Sequence, residues 1–314
     1  MKELQQIIQG VAENPAQSWA LATLVQTEGS TYRKPGARLL VDPQGATLGV
    51  LSGGCLEDEI GRQGRDVIRD GSPAVLSFDT RQLYGCDGRL KILVEPLPAA
   101  GQAGNLITKI GRSFRDRVTC RVRTRFEGET LGSDLLPPDV FLSERPGVFI
   151  QALQLPVRLL LFGTGPEIEP ITRLAEILGW AIELFEHPSE FPQDFRSDTQ
   201  TVALIMNHNF GRDLLALHRV LPLRLRYVGL IGPKKRYTEI LARLHEYVPS
   251  DFKGGFDNLF APAGLDIGSE APEEIALSII AEVEATLAGR VGGCLRQRRA
   301  TIGSRSTRVG GHAA

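Results

Sequence analysis

The sequence lacks the features that would place the protein in a membrane or outside the cell. None of its 314 residues lies in a stretch approaching the ~18 consecutive apolar residues of a membrane-spanning helix. The first residues have no long apolar core of the kind found in signal peptides. The four cysteines show no paired spacing, which predicts reduced thiols rather than a disulfide framework. We therefore expect a soluble, cytoplasmic protein that does not bind membranes.

The charge distribution and the histidines exclude further classes of partner. Six arginines and no acid follow Glu284, so with a formal net charge of −1 for the chain the preceding part carries −7. This acidic body argues against nucleic acid as the main partner. No pair of histidines has metal-ligand spacing, and neither a zinc motif nor a Walker loop is present.

The length and the pattern of apolar residues predict two domains and a tail. A chain of this length exceeds the ~100–200 residues usual for one domain, and its hydropathy pattern changes at Pro156. We expect an N-terminal α+β domain over residues 1–150, a Rossmann-like domain over 156–288 and a flexible basic tail over 289–314. In the second domain, buried apolar runs alternate with helical stretches, which predicts a doubly wound parallel sheet with helices on both faces.

The most informative stretch of the first domain is Ser52-Gly53-Gly54-Cys55. Two glycines permit close approach of the backbone to a ligand, and Cys55 is predicted near a helix N-terminus. The helix dipole there favours the thiolate, which is both the nucleophile and the soft-metal ligand, although the acids at 57–59 oppose this shift. Cys86 lies in a comparable glycine loop. The alternative is that both cysteines are small buried hydrophobic residues.

In the second domain, Gly163 and Gly165 lie where a predicted strand meets a helix. Backbone amides and the helix dipole can hold a pyrophosphate at such a turn. Glu186 follows Gly165 by 21 residues, the position of an acid that binds a ribose hydroxyl. Ile168 replaces the third glycine of this fingerprint and Pro166 removes one amide donor, so a tight turn that binds nothing is the alternative.

Three further residues are predicted to contact a ligand: His208, Gly232 and Lys234. His208 follows the carboxyl end of a predicted strand, where ligands of α/β proteins bind. After Gly232, three cations at 234–236 open a helix, where the dipole makes positive charge unfavourable. An anionic ligand or an acidic partner nearby would offset this cost, and a solvated basic turn is the alternative.

Taken together, these segments resemble the XdhC/CoxI accessory proteins. The run TEGSTYRKPGAR at 27–38, followed by SGGCLE at 52–57, is similar to the N-terminal signature of that family. Its Rossmann domain is matched in order and spacing by Gly163-Thr-Gly165, Asn207-His208-Asn209, Gly229–Gly232 and Gly264–Ile275. The resemblance covers residues 18–96 and 157–288. The family usually has histidine where this chain has Pro166, and glycine where it has Asp87.

The resemblance implies a chaperone for molybdenum hydroxylases of the xanthine dehydrogenase or carbon monoxide dehydrogenase type. Such a protein binds the molybdenum cofactor, as molybdopterin or its cytosine dinucleotide, holds it for sulfuration and inserts it into the apoenzyme. Cys55 and Cys86 would face the metal, and Gly163, Gly165 and Glu186 the phosphate end. Implied partners are the apo hydroxylase, a cysteine desulfurase, a molybdenum cofactor nucleotidyltransferase and a second copy in a homodimer.

Two other functions remain open from the residues. One is an NAD(P)-dependent oxidoreductase that uses the Rossmann domain, for which His208 is the one candidate general acid. The other is a regulatory scaffold that binds no ligand. We favour a maturation chaperone over a catalyst.

Overall fold

The computed structural model describes most of the chain, in two compact units with their boundary between Leu155 and Pro156. The described residues are 1–29, 31–52, 54, 56–79, 88–102, 104–137, 140, 145–247 and 256–297. Among the helices in these ranges, none is long and apolar enough to cross a bilayer.

In its described residues, the first unit contains two antiparallel sheets and three helices. A five-stranded sheet has the order β3-β2-β1-β5-β4, and a three-stranded sheet has the order β7-β6-β8. The strands are β1 (Trp19–Gly29), β2 (Arg38–Val41), β3 (Thr47–Gly49), β4 (Ala74–Asp79), β5 (Gly88–Leu97), β6 (Cys120–Arg125), β7 (Gly132–Leu136) and β8 (Val148–Leu153), and the helices are α1 (Lys2–Glu13), α2 (Glu57–Asp70) and α3 (Leu106–Arg115).

The larger sheet of this unit is buried on both faces. Side chains alternate between the faces of a strand, so Leu21 and Leu40 pack with α1, α3 and the smaller sheet. Ala22 and Leu39 point to the opposite face and pack with α2. Arg38 lies two residues before Leu40 on β2, and it is therefore directed to the first of these faces despite its charge.

The second unit is a doubly wound α/β domain. The five strands described in this unit are all parallel, in the order β10-β9-β11-β12-β13. The strands are β9 (Arg158–Gly163), β10 (Ala181–Phe185), β11 (Thr201–Met206), β12 (Val228–Leu230) and β13 (Leu259–Phe260), the helices are α4 (Ile168–Leu178), α5 (Phe210–Val220), α6 (Lys234–Tyr247) and α7 (Pro272–Leu287), and short 3₁₀ helices span Pro188–Glu190, Leu221–Leu223 and Leu295–Gln297.

Apolar side chains on both sides of the central strands hold these layers together. Leu159 and Leu161 of β9 pack under α4 and α7, whereas Leu160 and Phe162 pack under α5 and α6. The predicted fold class, a Rossmann-like parallel sheet covered on both faces after an α+β region, is confirmed. The chain leaves β9 for β10 on one side and returns to β11 on the other. The carboxyl ends of β9 and β11 therefore flank the topological switch point, where ligands of such sheets bind.

Candidate functional site

The loop that leads into α2 is held by one carboxylate, that of Glu57. This side chain accepts backbone N–H groups from Leu51 at 3.1 Å, Ser52 at 2.9 Å, Gly54 at 3.0 Å and Leu56 at 3.1 Å. It also accepts the Ser52 hydroxyl at 2.5 Å, while Ser52 Oγ accepts the Leu56 N–H at 3.0 Å. A loop with two glycines in sequence is thus fixed at four of its backbone donors.

The charge of Glu57 is matched to these donors. Burial by itself raises the pKa of this carboxyl, but hydrogen bonds from the Ser52 hydroxyl and from the N–H groups of Ser52 and Leu51 together lower the pKa by more than burial raises it. The resulting pKa is below the ordinary value, so the carboxylate is ionised at neutral pH. The sequence predicts only that the charge of Glu57 disfavours the thiolate form of Cys55. The structure adds that it organises the loop.

Three of the predicted cofactor-binding residues lie outside the described residues: Gly53 and the two cysteines predicted to face the metal, Cys55 and Cys86. Their roles stay predictions. Of the other two thiols, Cys120 is buried and Cys294 is exposed. Burial raises the pKa of Cys120, as expected of a small apolar core residue. In the part of the chain that the structure describes, no cluster of three or more His, Cys, Asp or Glu side chains could hold a metal ion.

The residues predicted in the second domain gather at the carboxyl edge of the parallel sheet. Phe162 pairs with Phe185, and Gly163 with Met206, so the residues after these strands lie side by side. Ile205 pairs with Leu230 and extends the same edge to β12. The residues brought to this edge are Gly163, Gly165, Glu186, His208 and Gly232, and Lys234 begins the helix that follows. Their contacts with a ligand stay predictions.

Internal packing restricts both glycines of the predicted phosphate turn, Gly163 more strictly than Gly165. Gly163 has φ 139°, and a Cβ there would lie 2.4 Å from the Met206 carbonyl oxygen. A Cβ at Gly165 would lie 2.6 Å from Glu167 Oε2 and 2.9 Å from His208 Nε2. The first glycine permits β9 and β11 to approach, and the second makes room for two polar side chains.

Glu167 and His208 form a polar pair that the sequence analysis missed. Their Oε2 and Nε2 atoms are 3.4 Å apart, Glu167 is buried and the His208 side chain is exposed. His208 has φ 52°, a left-handed backbone that costs a non-glycine residue about 1–2 kcal/mol and is common at functional sites. The negative charge of the Glu167 carboxylate makes it unfavourable for a phosphate to bind next to Gly165. Pro166 has the same effect, because it removes one N–H donor from the turn.

Asp213, an acid of the second unit, lies next to Arg236 in the first turn of α6. Asp213 is fully buried, and its Oδ1 accepts the backbone and side-chain N–H groups of Asn207, both at 3.2 Å. Arg236 NH1 lies 3.6 Å from Asp213 Oδ2, and NH2 donates to the His208 carbonyl at 3.4 Å. Burial raises the pKa of Asp213, while Asn207, Arg236 and His208 lower it in part. Among the described residues, Asn207 Oδ1 is buried without a hydrogen-bond partner, as expected where water or a ligand binds, while Asp213 Oδ2 and Arg236 NH1 contact each other only through the ion pair.

The glycine-rich segment that follows β13 is held by side chains of α7. Glu282 Oε2 accepts the Tyr227 hydroxyl at 2.7 Å and the Gly264 N–H at 2.8 Å. Ser278 Oγ donates to the Leu265 carbonyl at 2.6 Å. These contacts hold the segment near Gly264 in place without any ligand, so its residues have a structural role.

Comparison with known proteins identifies relatives over most of the chain. Residues 159–283 match the XdhC Rossmann domain, and residues 13–79 match the XdhC and CoxI family. The chain is 26% identical to a protein of Bacillus subtilis named as a probable subunit of xanthine dehydrogenase, over 84% of this chain and 91% of that protein. It is 27% identical to the molybdenum cofactor insertion chaperone PaoD of Escherichia coli, over 84% and 81%. A crystal structure of a xanthine dehydrogenase from Bacillus halodurans is similar with a TM-score of 0.73 at 25% identity, covering 93% of this chain and 97% of that one.

Proposed function

Because this chain belongs to the XdhC and CoxI family, we propose that it binds the molybdenum cofactor and inserts it into a molybdenum hydroxylase. One relative is named as a probable subunit of xanthine dehydrogenase, and another as a molybdenum cofactor insertion chaperone. The client is an enzyme of the xanthine dehydrogenase or carbon monoxide dehydrogenase type. The protein holds the cofactor while a cysteine desulfurase adds the terminal sulfur.

The observation that carries this proposal is the clamped loop before α2. Ser52, Gly54 and Leu56 are fixed by the Glu57 carboxylate, and they flank Gly53 and Cys55 in sequence. Residues whose backbone is fixed before binding lose less conformational entropy when a ligand binds beside them. A thiolate is the soft ligand that suits a molybdenum centre. We therefore place the metal end of the cargo at Cys55, with Cys86 as the second candidate.

The carboxyl edge of the second unit is proposed to bind a phosphate or nucleotide. Glu186 follows the strand next to β9, which suits an acid that binds a ribose hydroxyl. Among the described residues, Asn207 Oδ1 at this edge is buried without a hydrogen-bond partner, and Arg236 supplies a cation beside it. Since Glu167 opposes a phosphate at Gly165, the phosphate is proposed to bind on the side of Gly232 and Arg236. The proposed cofactor is molybdopterin, either alone or as its cytosine dinucleotide.

The experiment is a cofactor assay on protein purified without oxygen from cells that make the molybdenum cofactor. Molybdenum content and the fluorescence of the oxidised pterin are measured for the wild type and for Cys55→Ala, Cys86→Ala and the double variant. Cys294→Ala is the matched control, because it removes an exposed thiol. We expect near-stoichiometric pterin in the wild type and the control, and a loss in Cys55→Ala.

Two results would count against parts of the proposal. Equal cofactor retention by the wild type and the double variant would remove the cysteines from the account. An empty wild-type protein that takes up no pterin from an excess of cofactor would remove the carrier function. Affinity capture and size-exclusion chromatography test the proposed partners, which are the apo hydroxylase, the desulfurase, a cofactor nucleotidyltransferase and a second copy in a homodimer.

The Glu167–His208 pair supports a second candidate function, an NAD(P)-dependent oxidoreductase. An imidazole beside a buried carboxylate at the switch point is placed to exchange a proton with a bound substrate. This function predicts saturable NADPH binding, and substrate-dependent NADPH oxidation that His208→Gln abolishes. If neither the wild type nor His208→Gln binds NADPH, the oxidoreductase function is excluded.

A further inference from the structure

A cavity of about 330 Å³ lies on the large sheet of the first unit, at the ends of β1 and β4 and the start of β5. The chain between the last residue of β4, Asp79, and the first residue of β5, Gly88, contains Cys86, the second candidate for the metal end. The residues that line the cavity are Gln26, Glu28, Ser77, Phe78, Asp79, Arg89, Leu90 and Lys91. The proposed function assigns no role to any of them.

The strand register places the polar side chains of this cavity on one face of the sheet. They form two rows across the three strands, Gln26–Lys91–Ser77 and Glu28–Arg89–Asp79. Paired residues of an antiparallel sheet point to the same side, and so do residues two apart on one strand. The two rows are therefore neighbours on a single polar surface.

The cations of these rows have carboxylate partners within the unit. Lys91 Nζ donates to Glu127 Oε1 at 2.7 Å, and Arg89 Nε donates to Asp79 Oδ2 at 3.3 Å. Arg89 NH1 lies 3.8 Å from Glu28 Oε2, which is an ion pair but too long for a hydrogen bond. Since Glu28 and Asp79 on the wall repel an anion, the cavity does not suit the phosphate end of the cargo.

Three side chains of the wall keep hydrogen-bonding groups for a ligand. Among the described residues, neither the Gln26 amide nor the Ser77 hydroxyl has a hydrogen-bond partner, and no group donates a hydrogen bond to the Glu28 carboxylate. The amide supplies a donor and an acceptor, the hydroxyl can do either, and the carboxylate supplies acceptors alone. The matching ligand is uncharged, with N–H donors opposite Glu28 and acceptors opposite the amide or the hydroxyl.

We propose that this cavity binds the pterin ring of the cofactor by its 2-amino-4-oxopyrimidine end. That end presents two adjacent N–H donors, on N3 and on the 2-amino group, and hydrogen bonds to a carboxylate such as Glu28 are among the strong ones. The ring carbonyl and the ring nitrogens accept from Gln26 and Ser77. The volume lies within the range of small-ligand cavities, about 300–1,000 Å³. The inference rests on the proposed function and adds recognition of the ring to that of the metal and the phosphate.

The test is a fluorescence titration of the full chain with two ring compounds. One is 6-hydroxymethylpterin, and the other is 6-hydroxymethyllumazine, which has a carbonyl in place of the 2-amino group. In the lumazine one donor to Glu28 is replaced by an acceptor that the carboxylate repels. We expect the wild type to bind the pterin at least about tenfold more tightly than the lumazine.

The decisive variant is Glu28→Gln, which keeps the shape of the side chain and removes its charge. We expect it to bind the pterin at least about tenfold more weakly than the wild type and to lose the preference over the lumazine. The Glu28 side chain is 60% exposed, so the melting temperature should change little, which separates lost binding from lost folding. An unchanged preference in Glu28→Gln would overturn the proposal.

Two further variants are compared with Glu28→Gln. Ser77→Ala removes a hydroxyl from the cavity wall, and we expect pterin affinity to fall by a smaller factor. Glu129→Gln removes an exposed carboxylate of the same unit that does not line the cavity, and affinity should not change. An equal loss in Glu129→Gln and Glu28→Gln would assign the effect to net charge and count against the site.

The remaining outcomes concern the source of the ring and the carrier function. Guanosine carries the same pair of donors on a purine, and binding tighter than that of the pterin would overturn the assignment to the cofactor. No saturable pterin binding by the wild type would do the same. If Cys55→Ala loses the cofactor while Glu28→Gln retains as much as the wild type, the carrier function stands and the ring site fails. A pterin preference that depends on Glu28, in a protein that takes up no molybdenum, would support the ring site and count against the carrier function.

Discussion

The hydroxyl of Ser52 lies 2.5 Å from Oε2 of Glu57, and this contact ties the first turn of α2 to the loop before it. The same carboxylate accepts four backbone N–H groups of residues 51–56. An acid at the start of a helix is also favoured by the positive end of the helix dipole. Glu57 therefore stabilises both the loop and the start of α2.

Glu57→Gln should destabilise the first unit in a pH-dependent way. The amide keeps the size of the side chain but has one acceptor oxygen instead of two and carries no charge. We expect the free energy of unfolding to fall by about 1–3 kcal/mol at pH 7, because hydrogen bonds to a charged group are lost. The folded pKa of Glu57 is lowered, so its stabilisation is present above the ordinary glutamate pKa of about 4.3 and disappears as the pH falls through the folded value.

Urea unfolding of both proteins at neutral and acidic pH checks this prediction. The two unfolding curves should approach each other in acid. Asp58→Asn is the control, because Asp58 is an exposed acid in the same first turn. An equal loss of stability at both pH values would show that the charge of Glu57 does not act in the clamp.

Alanine at the two glycines of the Rossmann turn should have unequal effects. Gly163→Ala places a Cβ against the Met206 carbonyl with an unfavourable φ, and we expect a loss of about 3 kcal/mol or more. Gly165→Ala meets only the ends of the Glu167 and His208 side chains, which can move, so the loss should be about 1 kcal/mol or less. Chemical unfolding of the two variants measures the difference. Similar losses would show that the turn tolerates or rejects a Cβ at both positions alike.

Arg236→Gln should destabilise the second unit more at neutral pH than in acid. Burial raises the folded pKa of Asp213, so its stability contribution declines as the pH rises from the ordinary aspartate pKa of about 3.9 through the folded value. Arg236 limits this decline, and without it the buried carboxylate loses its cation. Since Arg236 is partly exposed, we expect a loss of about 1–3 kcal/mol at pH 7.

Unfolding of this variant over a pH series gives the answer. Below the folded pKa, Asp213 is protonated and needs no cation, so the wild type and the variant should converge. Arg212→Gln removes an exposed arginine from the same region and should have little effect at any pH. A constant difference between wild type and Arg236→Gln would assign the effect to packing rather than to the ion pair.

Much of the second unit could be predicted from the sequence because its elements are strongly patterned. Apolar runs and helix-start signals predict a strand over 181–185 and helices over 210–220 and 272–287, and β10, α5 and α7 have these bounds. The elements after residue 98 were harder to predict. There β7 contains glycine and polar residues with only one buried side chain, so it lacks the alternation that identifies a strand.

The helix α3 was also missed, although a signal for it exists. Asn105 caps this helix by accepting the Thr108 N–H at 2.8 Å, and Ile107, Ile110 and Phe114 are buried along one side. Gly111 in its last turns lowers the helix propensity and obscures this pattern. A search for the cap and the apolar spacing together would have found it.

The sequence by itself determined which predicted ligand residues share an edge, because residues after successive parallel strands must lie together. It also predicted that Gly163 lies where a strand ends and the chain turns towards a helix. Only the tertiary structure decided what surrounds these residues. Glu167 meets His208 across 41 positions of the chain, and Arg38 meets Gln151 across 113. Such contacts depend on strand order and register, which local patterns do not encode. For the same reason, the burial of the Arg38 charge emerges only when β2 and β8 are packed together.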